Sequence, residues 1–262
     1  MDQAGEPVRL AIEHAVAIVT LDRPQVLNAI DAHMARSLAA AISRIAQDGT
    51  VRAVLLRGEG RAFCAGGDVA RFVEGDPAAA IEAIIDPLHA ALRTLDALKL
   101  PTLAAVQGPA AGAGFSLALA CDLCIAAEDA VFTLAFARIG ISPDSSSTYR
   151  LPRIVGTRKA LELAMLAEPV RAPEALALGL VNRVVPSADL ASEAMALARR
   201  LAQGPTAAHA RIKHLVGHSL GNDLAAQLDL ERAAFLAGTR TADFREGAEA
   251  FLAKRPARFE GR

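Results

Sequence analysis

The sequence predicts an α/β fold, a layered sheet with crossover helices, followed by a helical C-terminal region. Three observations carry this. Short apolar or β-branched runs alternate with amphipathic stretches over the first part of the 262 residues. Two of those runs lead into glycine-rich loops, GEGRAFCAGGD and QGPAAGAG. Beyond Pro152 the strand signal fades into helical runs, among them MALARRLAQ, DLAAQLDLERAAFLA and EGAEAFLAK.

Taken in order, Val8–Glu13 and Ala15–Asp22 read as strands turning near Glu13–His14, with β-branched residues dense in AVAIVTL. Arg23-Pro24 closes the second strand. Asn28–Ile45 reads as an amphipathic helix with Ile30, Met34, Leu38, Ala41, Ile42 and Ile45 on one stripe. Val51–Arg57 is a short strand entering the first glycine-rich loop, and Pro77–Leu98 a second long helix. Leu103–Val106 is a buried strand entering the second loop, after which Phe115–Ala120 opens a helix. Leu123–Ala127 and Val131–Leu134 return as strands. The expected organisation is a core over residues 1–195 and a helical subdomain over 196–262.

Composition narrows the function classes. Hydrophobic residues make up 53% and charged residues 22%, a globular balance. The net charge of -1, the absence of Trp and the single Tyr argue against a nucleic-acid partner. The most apolar stretch, Leu100–Ala127, is broken by Pro101, Gln107, Pro109, three glycines and Asp122, so a membrane span is not expected. The opening MDQAGEPVRL has no apolar signal region, and a cytoplasmic location is expected. Cys121 and Cys124 have CxxC spacing without a second pair or a nearby histidine, and read as core thiols. His214 and His218 share a helix face but lack a third ligand, so no metal site is expected.

Each glycine-rich loop follows a buried strand and opens toward a helix. Glycine and alanine let backbone approach a ligand closely, and a first helical turn presents unpaired N–H groups at the positive end of its dipole. Two such N–H groups meeting at one point would form an oxyanion hole. Tight packing is the plainer alternative. A dinucleotide fingerprint starting at Gly112-Ala113-Gly114 would need glycine at Leu117, and a GxSxG nucleophile elbow would need it at Ala118.

The ordered blocks VTLDRPQVLNAI, VLLRGEGRAFCAGGDV, LPTLAAVQGPAAGAGFSLALACDLCIAA, FARIGISPDSSSTYRLPRIVG and ALGLVNRVVP resemble the enoyl-CoA hydratase/isomerase (crotonase) superfamily over almost the whole chain. The resemblance implies a ClpP-like spiral of ββα units with a C-terminal trimerisation region, and a homotrimer or dimer of trimers. It implies an acyl-CoA thioester substrate, with no cofactor beyond the coenzyme A moiety. Adenine would lie near Ala65, Gly67, Asp68 and Val69, and the thioester carbonyl at the N–H groups of Gly67 and Ala113. Phe251 and Lys254 would help close the coenzyme A site across an interface.

Within the superfamily, hydratases use two glutamates, whose positions match Ser116 and Phe136 here. Neither can act as a carboxylate base, and Phe136 would dry the pocket. Asp144, in ISPDSSSTY, matches the acid/base aspartate of the isomerase branch that includes the phenylacetate-pathway enzyme. That implies a shift of 3-enoyl-CoA to 2-enoyl-CoA with one aspartate as proton shuttle. A helix N-cap is the alternative role for Asp144, since it precedes SSST. His89 aligns with a histidine of the 4-chlorobenzoyl-CoA dehalogenases, whose nucleophilic aspartate aligns with Asp144. The favoured reading of His89 is a helix-face residue at the pocket mouth. The other readings are a hydratase with a non-standard base, an Asp/His-dependent thioester hydrolase or dehalogenase, and an RNA-binding or scaffold relative.

Overall fold

The computed structural model describes residues 5–73 and 75–262; residues 1–4 of the acidic opening lie outside them. Strands β1 (Val8–Glu13) and β2 (Val16–Leu21) pair antiparallel through His14 and Ala15, which sit at φ 51° and 63°. Two successive left-handed residues match the twist of a two-residue hairpin. Helix α1 (Ala32–Gln47) follows, capped by the Asp31 side chain on Met34 N–H. Next come β3 (Ala53–Gly58), the four-residue α2 (Val69–Phe72), α3 (Pro77–Ala97), β4 (Thr102–Val106), β5 (Pro109–Ala111), α4 (Ala113–Ala120), β6 (Leu123–Ala127) and β7 (Val131–Thr133). Helix α5 (Ser147–Leu166), kinked at Gly156, leads to β8 (Val170–Arg171), α6 (Ala172–Ala177) and β9 (Arg183–Val185). Helices α7 (Leu190–Ala202), α8 (Thr206–Ser219), α9 (Leu224–Gly238) and α10 (Ala242–Leu252) complete the chain.

The main sheet runs β1-β2-β3-β4-β6-β9, parallel after its first pair, and β5-β7-β8 form a smaller sheet. Side chains alternate across the main sheet with period two. Ala17, Val19, Val54, Leu56, Ala104 and Val106 face the core shared with α1 and α3. Val16, Ile18, Ala53, Leu55, Leu103 and Ala105 face α7, through Leu190, Ala194, Ala198 and Ala202. Burial on both faces is why β2 reads as a continuous apolar run. Helix α7 crosses residue 195, so the helical region starts on the core sheet itself.

Three local departures from the sequence reading have physical causes. The first long helix begins at Ala32, because Leu27 and Asn28 adopt left-handed φ of 54° and 57° and the Asn28 side chain is engaged elsewhere. The stretch inside QGPAAGAG contains a strand, β5, which pairs with β7. Beyond Pro152 the chain still supplies β9, three residues long and too short to show a period, and it extends the main sheet beside β6. Among the described residues no helix is long and apolar enough to cross a membrane.

Candidate active site

The two glycine-rich loops lie side by side. Phe63 N–H donates to Gln107 O (2.8 Å), Cys64 N–H to Pro109 O (3.1 Å) and Ala111 N–H to Cys64 O (2.9 Å). Contact this close needs glycine. Gly66 has φ 101°, and a Cβ there would stand 2.8 Å from Ala111 O and 3.6 Å from Gly112 Cα. A Cβ on Gly114 would strike the Cys64 carbonyl. Gly66 and Gly112, the residues immediately before Gly67 and Ala113, are thus in contact.

Gly67 and Ala113 differ from their neighbours as backbone donors. Ala65 N–H is taken by Leu27 O (2.9 Å), Asp68 N–H by Ile30 O (2.9 Å) and Gly112 N–H by Thr133 O (2.9 Å). Among the described residues no acceptor meets the N–H of Gly67 or of Ala113. Ala113 is the first residue of α4, where an unpaired N–H is inherent to the helix start. One aromatic ring borders each loop. The Phe72 ring tip fills the space where a Gly67 Cβ would be, and Phe136 Cζ lies 3.9 Å from the position of a Gly112 Cβ.

Ser116, on α4, is fully buried, and its hydroxyl lies 3.2 Å from both Gly112 O and Asp144 O. It joins the second loop to the segment carrying Asp144. Ser147 Oγ also donates to Asp144 O (2.7 Å), and Ser145 Oγ to Asp144 Oδ2 (3.1 Å). Ser145 and Ser146 both adopt left-handed φ, 57° and 68°, a backbone held by these contacts. The Asp144 carboxylate caps no helix: its Oδ1 accepts from His89 Nε2 at 2.8 Å, and α5 starts without a side-chain cap. Both side chains are about one-third exposed, 34% for His89 and 31% for Asp144.

The expected site residues therefore fall into two groups. Gly67, Ala113, Ser116, Phe136, Asp144 and His89 are linked through the two loops and α4. Ala65 and Asp68 flank Gly67, and Val69 opens α2 with 45% exposure. Phe251, 83% exposed, and Lys254 lie at the outer end of α10, and among the described residues no hydrogen bond or ion pair ties their side chains to the loops. Ser116 is enclosed rather than open to the pocket. The sequence reading missed Phe72, for which an apolar residue after the loop was the only signal, and the serines around Asp144, which SSST displayed. Burial pushes the Cys64 thiol in the first loop and the Cys121 thiol up to about 12, and the Cys124 thiol higher.

The family model for enoyl-CoA hydratase/isomerase matches residues 11–262. The chain belongs to that family. It is 45% identical over 261 residues to a Rhodobacter capsulatus protein named a probable enoyl-CoA hydratase, covering 97% of this chain and 98% of the relative. It is 40% identical over 257 residues to the 1,2-epoxyphenylacetyl-CoA isomerase of Escherichia coli K12, covering 96% and 97%. The crystal structure of an enoyl-CoA hydratase from Polaromonas sp. JS666 superposes with a TM-score of 0.91 at 35% identity, covering 97% of this chain and 99% of that one. The fold is the crotonase fold, and the protein is an acyl-CoA enzyme of the enoyl-CoA hydratase/isomerase superfamily. The phenylacetate-type branch that Asp144 resembles has its counterpart in the E. coli relative.

Proposed function

We propose that the protein isomerises 3-enoyl-CoA thioesters, or a close ring-bearing variant, to their 2-enoyl isomers. The single observation that carries this is the Ser116 bridge, which fixes Asp144 one helical turn from the start of α4 and its unpaired Ala113 N–H. The thioester carbonyl accepts hydrogen bonds from Gly67 and Ala113. Asp144 takes a proton from C2, the electron pair moves onto the carbonyl oxygen as a dienolate, and the same carboxyl returns the proton at C4. Donors already in place at the oxygen stabilise the negative charge as it forms, by several kcal/mol in comparable sites (about 3–4 for one donor). Ser116 and Phe136 occupy the positions of the hydratase glutamates and offer no second base.

Coenzyme A is the handle, and no cofactor beyond it is needed for this proton shift. Among the described residues the Ala65 carbonyl accepts no hydrogen bond, which suits it to the exocyclic amine of adenine. Asp68 is held by Arg23 at 3.5 Å beside it. The homotrimer or dimer of trimers is part of the same reading. Helix α9 buries no residue in the single chain, although Leu224, Leu228 and Phe235 stand on it, and a partner subunit would cover them.

The His89–Asp144 hydrogen bond favours a second reading. Asp144 would attack an aryl carbon and expel halide to form an aryl ester, or attack the thioester carbonyl carbon and expel coenzyme A to form an anhydride, either one hydrolysed by water that His89 deprotonates. Product analysis by NMR against 2-enoyl-, 3-enoyl- and haloaryl-CoA thioesters separates the two. Double-bond migration is expected. Release of halide or free coenzyme A without migration would replace the isomerase reading with the displacement one, and hydration alone would require another base.

A further inference from the structure

Asn28 lies outside the residues given roles above, yet the first glycine-rich loop is built around it. It is fully buried, at φ 57°, directly after Leu27 at φ 54°. Its side-chain amide donates to three carbonyls of the loop, Glu59 O (3.0 Å), Ala62 O (2.8 Å) and Phe63 O (3.1 Å). Two N–H bonds serve three acceptors, so one is shared. Its Oδ1 accepts from Arg23 N–H (2.8 Å), and its own carbonyl accepts from the Cys64 thiol (3.1 Å). A buried amide satisfied on every side has one low-energy orientation, and it fixes whatever its partners carry.

The neighbours of Asn28 extend this template residue by residue. Leu27 O accepts from Ala65 N–H (2.9 Å), Ile30 N–H donates to Gly66 O (2.7 Å), and Ile30 O accepts from Asp68 N–H (2.9 Å). The turn thus binds Cys64, Ala65, Gly66 and Asp68 and skips the N–H of Gly67. Arg23 braces the same turn through Ala29 O (2.6 Å) and Asp31 (3.0 Å).

We infer that Asn28 is a positioning residue for the thioester oxygen: by orienting residues 59–66 it aims Gly67 N–H, without touching substrate. The inference rests on the oxyanion reading of Gly67 and Ala113. A donor removed from such a site costs about 10²–10³-fold in turnover, so a misaimed one is expected to cost about 10- to 100-fold.

The test is isotope-edited infrared spectroscopy of the 262-residue protein with butyryl-CoA carrying ¹³C at C1, a probe with no double bond to move. Asn28→Gly removes the amide while keeping a residue at ease with φ 57°. In the wild type the carbonyl band should shift to lower frequency on binding. In Asn28→Gly it should return toward the free position, kcat on a 3-enoyl-CoA should fall about 10- to 100-fold, and butyryl-CoA affinity should fall by less than kcat, since only the Ala65 carbonyl of the coenzyme A contacts turns with the same loop. A general loss of structure would instead lower affinity and the melting temperature together, without separating kcat from KM. If Asn28→Gly does not fold, Asn28→Ser keeps one donor and should give an intermediate band. A wild-type band and kcat in the folded variant would overturn the inference. No shift in the wild type would remove the oxyanion reading itself, a distinct failure.

Discussion

His89 Nε2 and Asp144 Oδ1 stand 2.8 Å apart, joining α3 to the segment before α5 across 55 residues of sequence. The carboxylate can only accept, so the imidazole places its Nε2 proton on this bond. That leaves Asp144 Oδ2, with Ser145 as its neighbour, as the oxygen freer to move a proton. A hydrogen bond to a charged group contributes about 1.5–3 kcal/mol, and one-third exposure of both partners puts this pair at the low end. His89→Ala should therefore slow isomerisation by about tenfold, or about 1.4 kcal/mol of barrier. A loss of three orders of magnitude, with a covalent adduct on Asp144 seen by mass spectrometry of the wild type, would establish the displacement chemistry instead.

Ser116 holds Asp144 through its main chain. Ser116→Ala removes that hydroxyl from the Gly112 and Asp144 carbonyls, each of which keeps another donor, at a cost of about 0.5–1.5 kcal/mol in stability. Asp144 O keeps its contacts from Ser147, so the segment should stay folded. The expected result is a lower melting temperature with a moderate fall in kcat. Unchanged stability and rate would show that the bridge positions nothing.

Helix α9 sets a prediction about mass. Phe235 is 73% exposed and Leu224 75% exposed in the single chain, beside further exposed apolar residues at Leu220 and Leu228. Exposed apolar side chains of this kind along one helix are what the proposed subunit interface would cover. Light scattering should give three or six chain masses, and Leu228→Asp should lower that number. A one-chain mass for the unaltered protein at micromolar concentration rejects the assembly.

The C-terminal tail carries its own acid response. Arg255 makes two contacts with the Glu246 carboxylate, at 2.7 and 2.9 Å, and Arg258 N–H adds a third at 2.7 Å. These hold the Glu246 carboxyl down to about 2 from an ordinary value of 4.5. A folded-state value below the unfolded one stabilises the fold above the unfolded value and is lost as pH falls through the folded one. Glu246→Gln should thus melt below the wild type at pH 7, with the gap narrowing below about pH 4.5. A gap independent of pH would assign the effect to packing.

Much of this was legible in the sequence, for identifiable reasons. The period-two faces of β2, β3 and β4 and the α1 stripe follow from side-chain direction alone, and the paired glycine loops announced close backbone contact. The start of α1 was not legible, because Asn28 is fixed by carbonyls about 30 residues away rather than by local propensity. His89 read as a helix-face residue at the pocket mouth, and its pairing with Asp144 was suggested only by the dehalogenase resemblance, because the partner is 55 residues distant and helical periodicity says only which face it occupies. Phe72 sits on a four-residue helix, too short to carry a period.

Asp144→Asn bears on the reaction as a whole. The asparagine keeps the shape of the side chain and can still meet His89 and Ser145, and the Asp144 main-chain contacts from Ser116 and Ser147 are unaffected. Folding should survive. What disappears is the carboxylate proposed to carry a proton between C2 and C4. General acid–base catalysis contributes about 10²–10⁴-fold, so isomerisation should fall by that factor or more. Acyl-CoA binding should change little, because Gly67 and Ala113 remain in place; kcat falls and affinity stays. Deuterium exchange at C2 of a saturated acyl-CoA in D₂O supplies an independent readout, since proton abstraction precedes any double-bond movement. Exchange should be lost with isomerisation. Retention of both at the wild-type rate would remove Asp144 from the chemistry, and retained exchange without isomerisation would confine it to the C4 step.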